Sequence, residues 1–343
     1  MSDAIALLAE HGLVTETGQA ESTGGRPATL LDVPAEVGGV LAVDVGGSLL
    51  RVCAADLRGE LLEFFEAPTP SDPTKLQEVM GSALAAMRDC LTGDVLATCI
   101  AVAGIVHPRT KSISMTSNVP GWSANSIPDW LTESGGPLLI ENEANAGAIG
   151  EAQFGAAVGV RDVLFVSLGA GIGSGLLHNG HLVRGVTGAA GEMGLMVGCW
   201  SEHATALEKV ASGTSLVRRY EELGGSAASS PAELFHRAAQ DDEPARTALE
   251  AGLDALAVAL TNAILMIDPE LVVLGGGLAT VGDQLSASLC DRIGRLLSTE
   301  PPRIVVGHLG TQAALRGAAS LAARSAVDRV VAGLDAKAFP ARA

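Results

Sequence analysis

Two glycine-rich turns, about 120 residues apart, constrain this chain more than any other feature. The first is Val43-Asp44-Val45-Gly46-Gly47-Ser48, and the second runs Ser167-Leu168-Gly169-Ala170-Gly171-Ile172-Gly173-Ser174-Gly175. Each follows an apolar run that reads as a buried strand, Val40 to Val45 and Val163 to Leu168, and each precedes another apolar run at hairpin distance. One such turn is weak evidence, because glycine also serves tight turns that hold nothing. Two in the same strand–turn–strand setting predict two related halves facing one ligand. Glycine there lets the backbone approach a phosphate and aim its N–H groups at the oxygens.

The remaining pattern supports a two-part α/β chain. At 343 residues the prior is two domains, and 48% hydrophobic against 18% charged residues supplies cores and argues against disorder. Aromatics are scarce, so Val, Leu, Ile and Ala must fill those cores. Residues 40–66 read as a three-stranded meander turning at Arg58-Gly59-Glu60. Asp72-Pro73 reads as an N-cap and first-turn proline, and Leu76, Val79, Met80, Ala83, Leu84, Met87 and Leu91 keep helical spacing. Val95 to Val106 reads as one buried strand. In the second half Asn179-Gly180 is a hairpin signal, and a long helix is expected over Pro244 to Ile267. Strands follow at Leu271 to Leu274 and Arg303 to Val306, then a helix from about Ala313. The expected boundaries are 1–36 for an N-terminal arm, 37–137 with 311–343 for one lobe, and 138–310 for the other.

Charge and cysteine usage narrow the function classes. A net charge of −17 opposes nucleic-acid binding without a locally basic patch. Five cysteines lack paired spacing; four lie in apolar or helical stretches and read as small core residues. Met1-Ser2-Asp3 lacks a basic leader, and no run of 18 apolar residues occurs, so a cytoplasmic location without membrane contact is expected.

Further motifs carry a resemblance. Ile140-Glu141-Asn142-Glu143-Ala144-Asn145 with Gly150-Glu151, Asn118-Val119-Pro120-Gly121-Trp122, Gly185 to Gly194, and Asp268-Pro269-Glu270 before Gly275-Gly276-Gly277 resemble the ROK family (repressors, open reading frames and sugar kinases) in order and spacing over roughly residues 22–325. The resemblance implies the actin-like ATPase fold: two ribonuclease-H-like lobes with ATP and a sugar in the cleft, in a homodimer. Asp44 would hold a Mg²⁺-bound water, Gly46, Gly47 and Ser48 would meet the terminal phosphate, and Gly169, Ala170, Gly171 and Gly173 would form the matching turn. Gly275, Gly276 and Gly277 would let an adenine lie close to the backbone. Asn118, Asn142, Glu143, Glu192 and Glu208 are the candidates for pairing sugar hydroxyls, which must be re-paired on leaving water. Glu143 takes the position of the base that removes the proton from the sugar hydroxyl.

Three departures from the kinase pattern matter. Glu143 stands where kinase members carry Asp, one methylene further from the backbone, and about 1 Å of misplacement can cost roughly 10²-fold in rate. Leu195 replaces a zinc-binding histidine, and the following segment offers a single Cys199 and a single His203, too few for a four-ligand zinc site. Ala170 replaces a common Thr. These departures resemble the regulator branch, which carries a winged helix-turn-helix ahead of the lobes. A short helix ending near Gly12, then Ser22 to Ala28 as a hairpin tip entering a strand, looks like the last part of such a unit. Residues 1–33 hold one basic residue, Arg26, against five acidic ones, and the segment before Gly12 is too short for two helices. The expectation is either a start upstream of Met1 or loss of the reader domain, with DNA a partner only of a longer N-terminus.

Three functions remain open at this level. The first is a sugar-sensing regulator binding a hexose or amino sugar without phosphorylating it. The second is an ATP-dependent glucokinase or N-acyl-hexosamine kinase with Mg-ATP as cofactor and Glu143 as base. The third is a sugar- or nucleotide-binding module whose dimer is the output.

Overall fold

A computed structural model describes residues 3–20, 28–115, 131, 136–199, 203–228 and 230–338. An N-terminal unit comes first: helix α1 (Asp3–Glu10) and an antiparallel hairpin of β1 (Thr15–Gln19) and β2 (Thr29–Asp32). The expected hairpin tip at Ser22 to Pro27 lies outside the described residues. The unit is largely exposed and is tied to the first lobe by an ion pair between Asp32 and Arg58.

The first lobe is built on β3 (Gly39–Val45), β4 (Leu49–Ala55), β5 (Leu61–Pro68), α2 (Pro73–Asp89) and β6 (Val95–Val102). Short strands β7 (Ile105–Val106) and β8 (Ile113–Ser114) follow, then β9 (Leu138–Asn142) and α3 (Glu143–Phe154). The five-stranded sheet has the order β5-β4-β3-β6-β9. Strand β9, which the boundary expected at 138 assigns to the other lobe, pairs with β6 and completes this sheet. Asp72 caps α2 by accepting from the Lys75 N–H at 2.8 Å, and Leu76, Met80, Ala83, Leu84 and Met87 are buried on one sheet face. The expected continuous strand 95–106 is interrupted. Its parallel partner β9 ends at Asn142, opposite Val102, where α3 begins. Its other neighbour, β3, also ends opposite Val102, and Ile105–Val106 pairs instead with β8.

The second lobe repeats the plan. It contains β10 (Val163–Leu168), β11 (Ile172–His178), β12 (His181–Leu182), and short strands β13 (Val197–Gly198) and β14 (Thr205–Ala206). Helices α4 (Glu208–Ala211), α5 (Gly213–Glu222), α6 (Pro231–Ala238) and α7 (Glu243–Ile267) precede β15 (Leu271–Gly275), α8 (Asp283–Leu296) and β16 (Arg303–Val306). Its sheet order is β12-β11-β10-β15-β16, a hairpin-connected trio and two parallel strands as in the first. Asn179 (φ 52°) and Gly180 (φ 77°) form the expected left-handed hairpin turn. Helix α7 is long and apolar enough to cross a membrane, but Leu249, Leu253, Leu256, Leu260 and Ile264 make it the spine of this core.

The C-terminal helix α9 (Ala313–Ala338) returns to the first sheet. Ala318, Ala319, Ala322 and Ala323 pack on Val40, Ala42, Cys53 and Cys99, small on small, so helix and sheet approach closely. It also crosses α3 tightly: a Cβ on Gly317 would stand 1.7 Å from the Ala146 carbonyl, and one on Gly150 would stand 2.2 Å from that of Ala313. Helix α3 in turn packs on β10 and β11, so this crossing is the seam between lobes. Only two of the cysteines read as core residues are buried, Cys53 and Cys99. Cys90 at the end of α2 and Cys290 on the outer face of α8 are exposed, because helical context does not say which face a residue occupies.

The result is the duplicated two-lobe α/β architecture of the actin-like ATPases, with an added N-terminal helix and hairpin.

Candidate functional site

The two glycine turns meet at one cavity of about 500 Å³. Gly47 and Ser48 line it from the first lobe with Thr69, Pro70 and Ser71; Ala170 and Gly171 line it from the second with Glu208, Lys209, Ser212, Thr214 and Ser215. A larger groove of about 640 Å³ opens at the opposite end of the first sheet between Arg88, Asp94 and Arg329, and holds none of the candidate residues.

Each turn is fixed by its own hydrogen bonds. Gly46 N–H donates to the Leu49 carbonyl at 3.0 Å, and the Thr69 hydroxyl donates to the Gly46 carbonyl at 2.7 Å. In the second turn Gly169 N–H donates to the Gly171 carbonyl at 3.0 Å. Glu208 accepts from the Ile172 N–H at 2.9 Å, and a Cβ on Gly171 would stand 2.6 Å from the same carboxylate. Gly213 N–H donates to the Gly169 carbonyl, so the start of α5 pins the turn. The second turn therefore needs glycine at 171 to let Glu208 in.

The acidic residues fall into two groups. Asp44, at the end of β3, lies opposite Arg51 on β4, which lies opposite Glu66 on β5. Arg51 donates to Asp44 at 3.0 Å and to Glu66 at 2.7 Å. Asp44 is 1% exposed, and its Oδ1 is buried without a hydrogen-bond partner. Glu143, half-buried, is the first residue of α3. Burial, with the Asp44 charge added, pushes its carboxyl up to about 8, while Arg51 pulls the other way. Glu192 forms the second group with Glu208: burial first, then the Glu208 charge, raise the Glu192 carboxyl above its ordinary value.

Other candidates make contacts within the scaffold. Asn142 caps α3 by accepting from the Asn145 N–H at 2.9 Å, and its amide donates to the Gly104 carbonyl at 2.9 Å. Gly275 leaves room for the Phe165 ring. Gly276 has φ 80°, and a Cβ there would stand 2.6 Å from the Leu168 carbonyl. Gly277 is open, and the triglycine lies beside the second turn rather than on the cavity wall. Gly173 sits on β11 against Ala144 of α3. Asn118 and its segment lie outside the described residues. Among the described residues no group of three or more His, Cys, Asp and Glu is arranged to hold a metal ion.

Several residues of the site escape sequence reading. Arg51 is one, although it mirrors Asp44 about the first turn and hairpin counting would have paired them. Thr69 and Lys209 on the cavity rim are others. Glu141 and Arg184 are further cases: the Arg184 guanidinium, after β12, donates to the buried Glu141 on β9 at 2.7 Å. Glu141 also accepts from the Asn145 amide at 3.0 Å, so the bond joins the two lobes beside α3. Glu151, buried, accepts from the N–H groups of Ala156, His308 and Leu309 and straps α3 to the start of α9.

The cavity suits a phosphate group in composition, since its lining brings Gly47, Ser48 and Ala170 of the two turns together with Lys209. A divalent cation coordinated directly by Asp44 does not fit: one oxygen already takes a guanidinium and the other is shut from solvent.

Comparison with known proteins agrees with this architecture. The sequence model of the ROK family matches residues 40–325. A glucokinase of Streptomyces coelicolor is 29% identical over 317 residues, covering 83% of this chain and 98% of the relative. A xylose repressor of Bacillus subtilis is 30% identical over 296 residues, covering 80% of this chain and 73% of the relative. Among solved structures, a ROK glucokinase of Streptomyces griseus in complex with glucose and AMPPNP superposes with a TM-score of 0.72 at 26% identity, over 83% of this chain and 99% of that one. A ROK transcriptional regulator, homologous to the Escherichia coli MLC protein, superposes with a TM-score of 0.77 at 20% identity, over 97% of this chain and 90% of that one.

Proposed function

The chain belongs to the ROK family, and from that premise we propose that it is a sugar-responsive transcriptional regulator that binds a hexose or amino sugar between its lobes. The observation that carries this reading is the N-terminal helix and hairpin. A kinase fold accounts for 83% of the chain, whereas the regulator fold extends over 97% of it. A unit outside the catalytic fold, tied to the first lobe by Asp32 and Arg58, suits a protein whose sugar-dependent closure is passed to another segment.

The cleft supports the same reading. Glu192 and Glu208 put two carboxylates beside each other, and sugar hydroxyls are good donors to such groups. Glu208 is already the anchor of the second turn, so a sugar that engages it would also act on the phosphate-type turn. The DNA contact itself would need basic residues beyond Arg26 of the first 33.

A second reading, an ATP-dependent sugar kinase, is favoured by Glu143. A carboxyl pushed up to about 8 lies near the pH of action of a general base, and it stands at the start of α3 beside the first turn. Under this reading Gly47, Ser48, Ala170 and Lys209 would hold the nucleotide phosphates, and the nucleotide would supply the phosphoryl group. Glu143 would take the proton from the attacking hydroxyl.

A coupled ADP-release assay over a panel of hexoses and amino sugars separates the two. The regulator reading expects binding by thermal shift and no turnover. Turnover lost in Glu143→Gln would overturn it in favour of the kinase. Gel-shift assays with a chain extended by the upstream coding sequence test the DNA arm, and no binding from any extended chain contradicts it.

A further inference from the structure

The row Asp44–Arg51–Glu66 crosses three neighbouring strands at the rim of the first glycine turn. Arg51 is 5% exposed and is held from both sides, at 3.0 Å by Asp44 and at 2.7 Å by the half-exposed Glu66. A guanidinium stays charged at any accessible pH, so this is a permanent cation beside the acid of the first turn. A phosphoryl-transfer site needs positive charge at this place, and a divalent cation ordinarily supplies it through acidic oxygens that solvent can reach. Here the acid is shut from solvent and one of its oxygens is already held by the guanidinium. A dication at the open lone pairs of Asp44 Oδ1 would stand within one carboxylate's width of the guanidinium, in buried surroundings where repulsion is strong.

We propose that Arg51 is the resident counter-ion of the cleft: it stands where a divalent cation would otherwise neutralise Asp44, and the chain binds its carbohydrate without Mg²⁺. The carbohydrate half of this statement rests on the sugar-sensor reading; the exclusion of divalent cations does not. Two features distinguish the role from plain cross-strand pairing. Asp44 Oδ1 has no partner, so the carboxylate keeps capacity that a cation would take up if the guanidinium left. Glu143 is close enough for the Asp44 charge to act on it, so a second carboxylate is at hand.

The test is electron paramagnetic resonance of aqueous Mn²⁺ titrated with protein. The wild-type chain is expected to leave the free Mn²⁺ signal unchanged. Arg51→Met, which keeps the apolar stem, is expected to remove one ion per chain with a dissociation constant of about 10⁻⁴–10⁻³ M. Adding Asp44→Asn to that variant is expected to abolish the uptake and to restore most of the melting temperature lost in the single variant, since no buried charge is then left unpaired. One Mn²⁺ bound by the wild type overturns the proposal, and so does a folded Arg51→Met that binds none.

If Arg51→Met does not fold, the wild type decides through its sugar affinity in EDTA and in Mg²⁺. A ratio within about twofold supports the proposal, and a loss of tenfold or more in EDTA overturns it. If no sugar binds under either condition, the sensor reading fails, while the wild-type Mn²⁺ titration still tests the role of Arg51 independently.

Discussion

The two lobes set the same backbone device in different chemical company. In each, a strand, a glycine turn and an antiparallel strand stand beside two parallel strands in the same order. In the first lobe the residue two before Gly46 is Asp44, and its register partner is Arg51. In the second the matching residue, Ser167 two before Gly169, has Gly173 as partner. One turn thus rides on a buried ion pair. The other is held from outside by Glu208 and by the start of α5. The fold is duplicated and the chemistry is not, so function must be argued from the residues at each turn.

The largest expected effect lies at the seam both halves share. Gly317→Ala forces a Cβ into the Ala146 carbonyl and is expected to cost about 3 kcal/mol or more, or to prevent folding; chemical denaturation measures it. A loss confined to one lobe's transition would show that the halves are less coupled than this crossing implies.

Matched substitutions sharpen the contrast between the turns. Arg51→Leu strands a buried carboxylate and is expected to cost about 3–5 kcal/mol, while Ser167→Ala at the matching position is expected to cost under about 1 kcal/mol. Equal losses would break the distinction between the turns.

Glu143 brings a pH dependence. Its carboxyl is raised from the ordinary 4.5 to about 8, so ionising it opposes folding. That penalty is absent below 4.5, grows as pH rises through the interval and is complete above about 8. Glu143→Gln cannot ionise. It is therefore expected to melt roughly 3–6 °C above wild type at pH 8.5 and level with it near pH 4.5. The opposite trend would mean that Glu143 is held charged by a partner.

A smaller loss than that of Arg51→Leu is expected where the second turn is anchored. Glu208→Ala removes the acceptor for the Ile172 N–H and is expected to cost about 1–2 kcal/mol, with the melting temperature of the second lobe as readout. A cost as large as that of Arg51→Leu would show that both turns depend on buried charge.

Much of this fold is legible in the sequence because its signals are local. Asp72-Pro73, Asn179-Gly180 and the period of the long helix are written within a few residues, and the structure realises each. The paired turns announce the duplication because glycine is needed where backbones approach. What escaped is non-local. Arg184 and Glu141 are 43 residues apart and meet only when the lobes do. The break after Val102 depends on where a neighbouring strand ends. The exposed Cys90 and Cys290 show that helical spacing assigns a face only where the surrounding pattern is strong. Arg51 is the instructive exception, since it is readable from hairpin register yet invisible to a search for motifs.

The most direct test is isothermal calorimetry of the intact chain with a panel of hexoses and amino sugars, first in EDTA and then with Mg-ATP added. A sugar sensor that works without a divalent cation gives a saturable binding heat for at least one sugar in EDTA and no sustained heat of turnover after Mg-ATP. Sustained turnover heat, or silence from every sugar, would contradict that role.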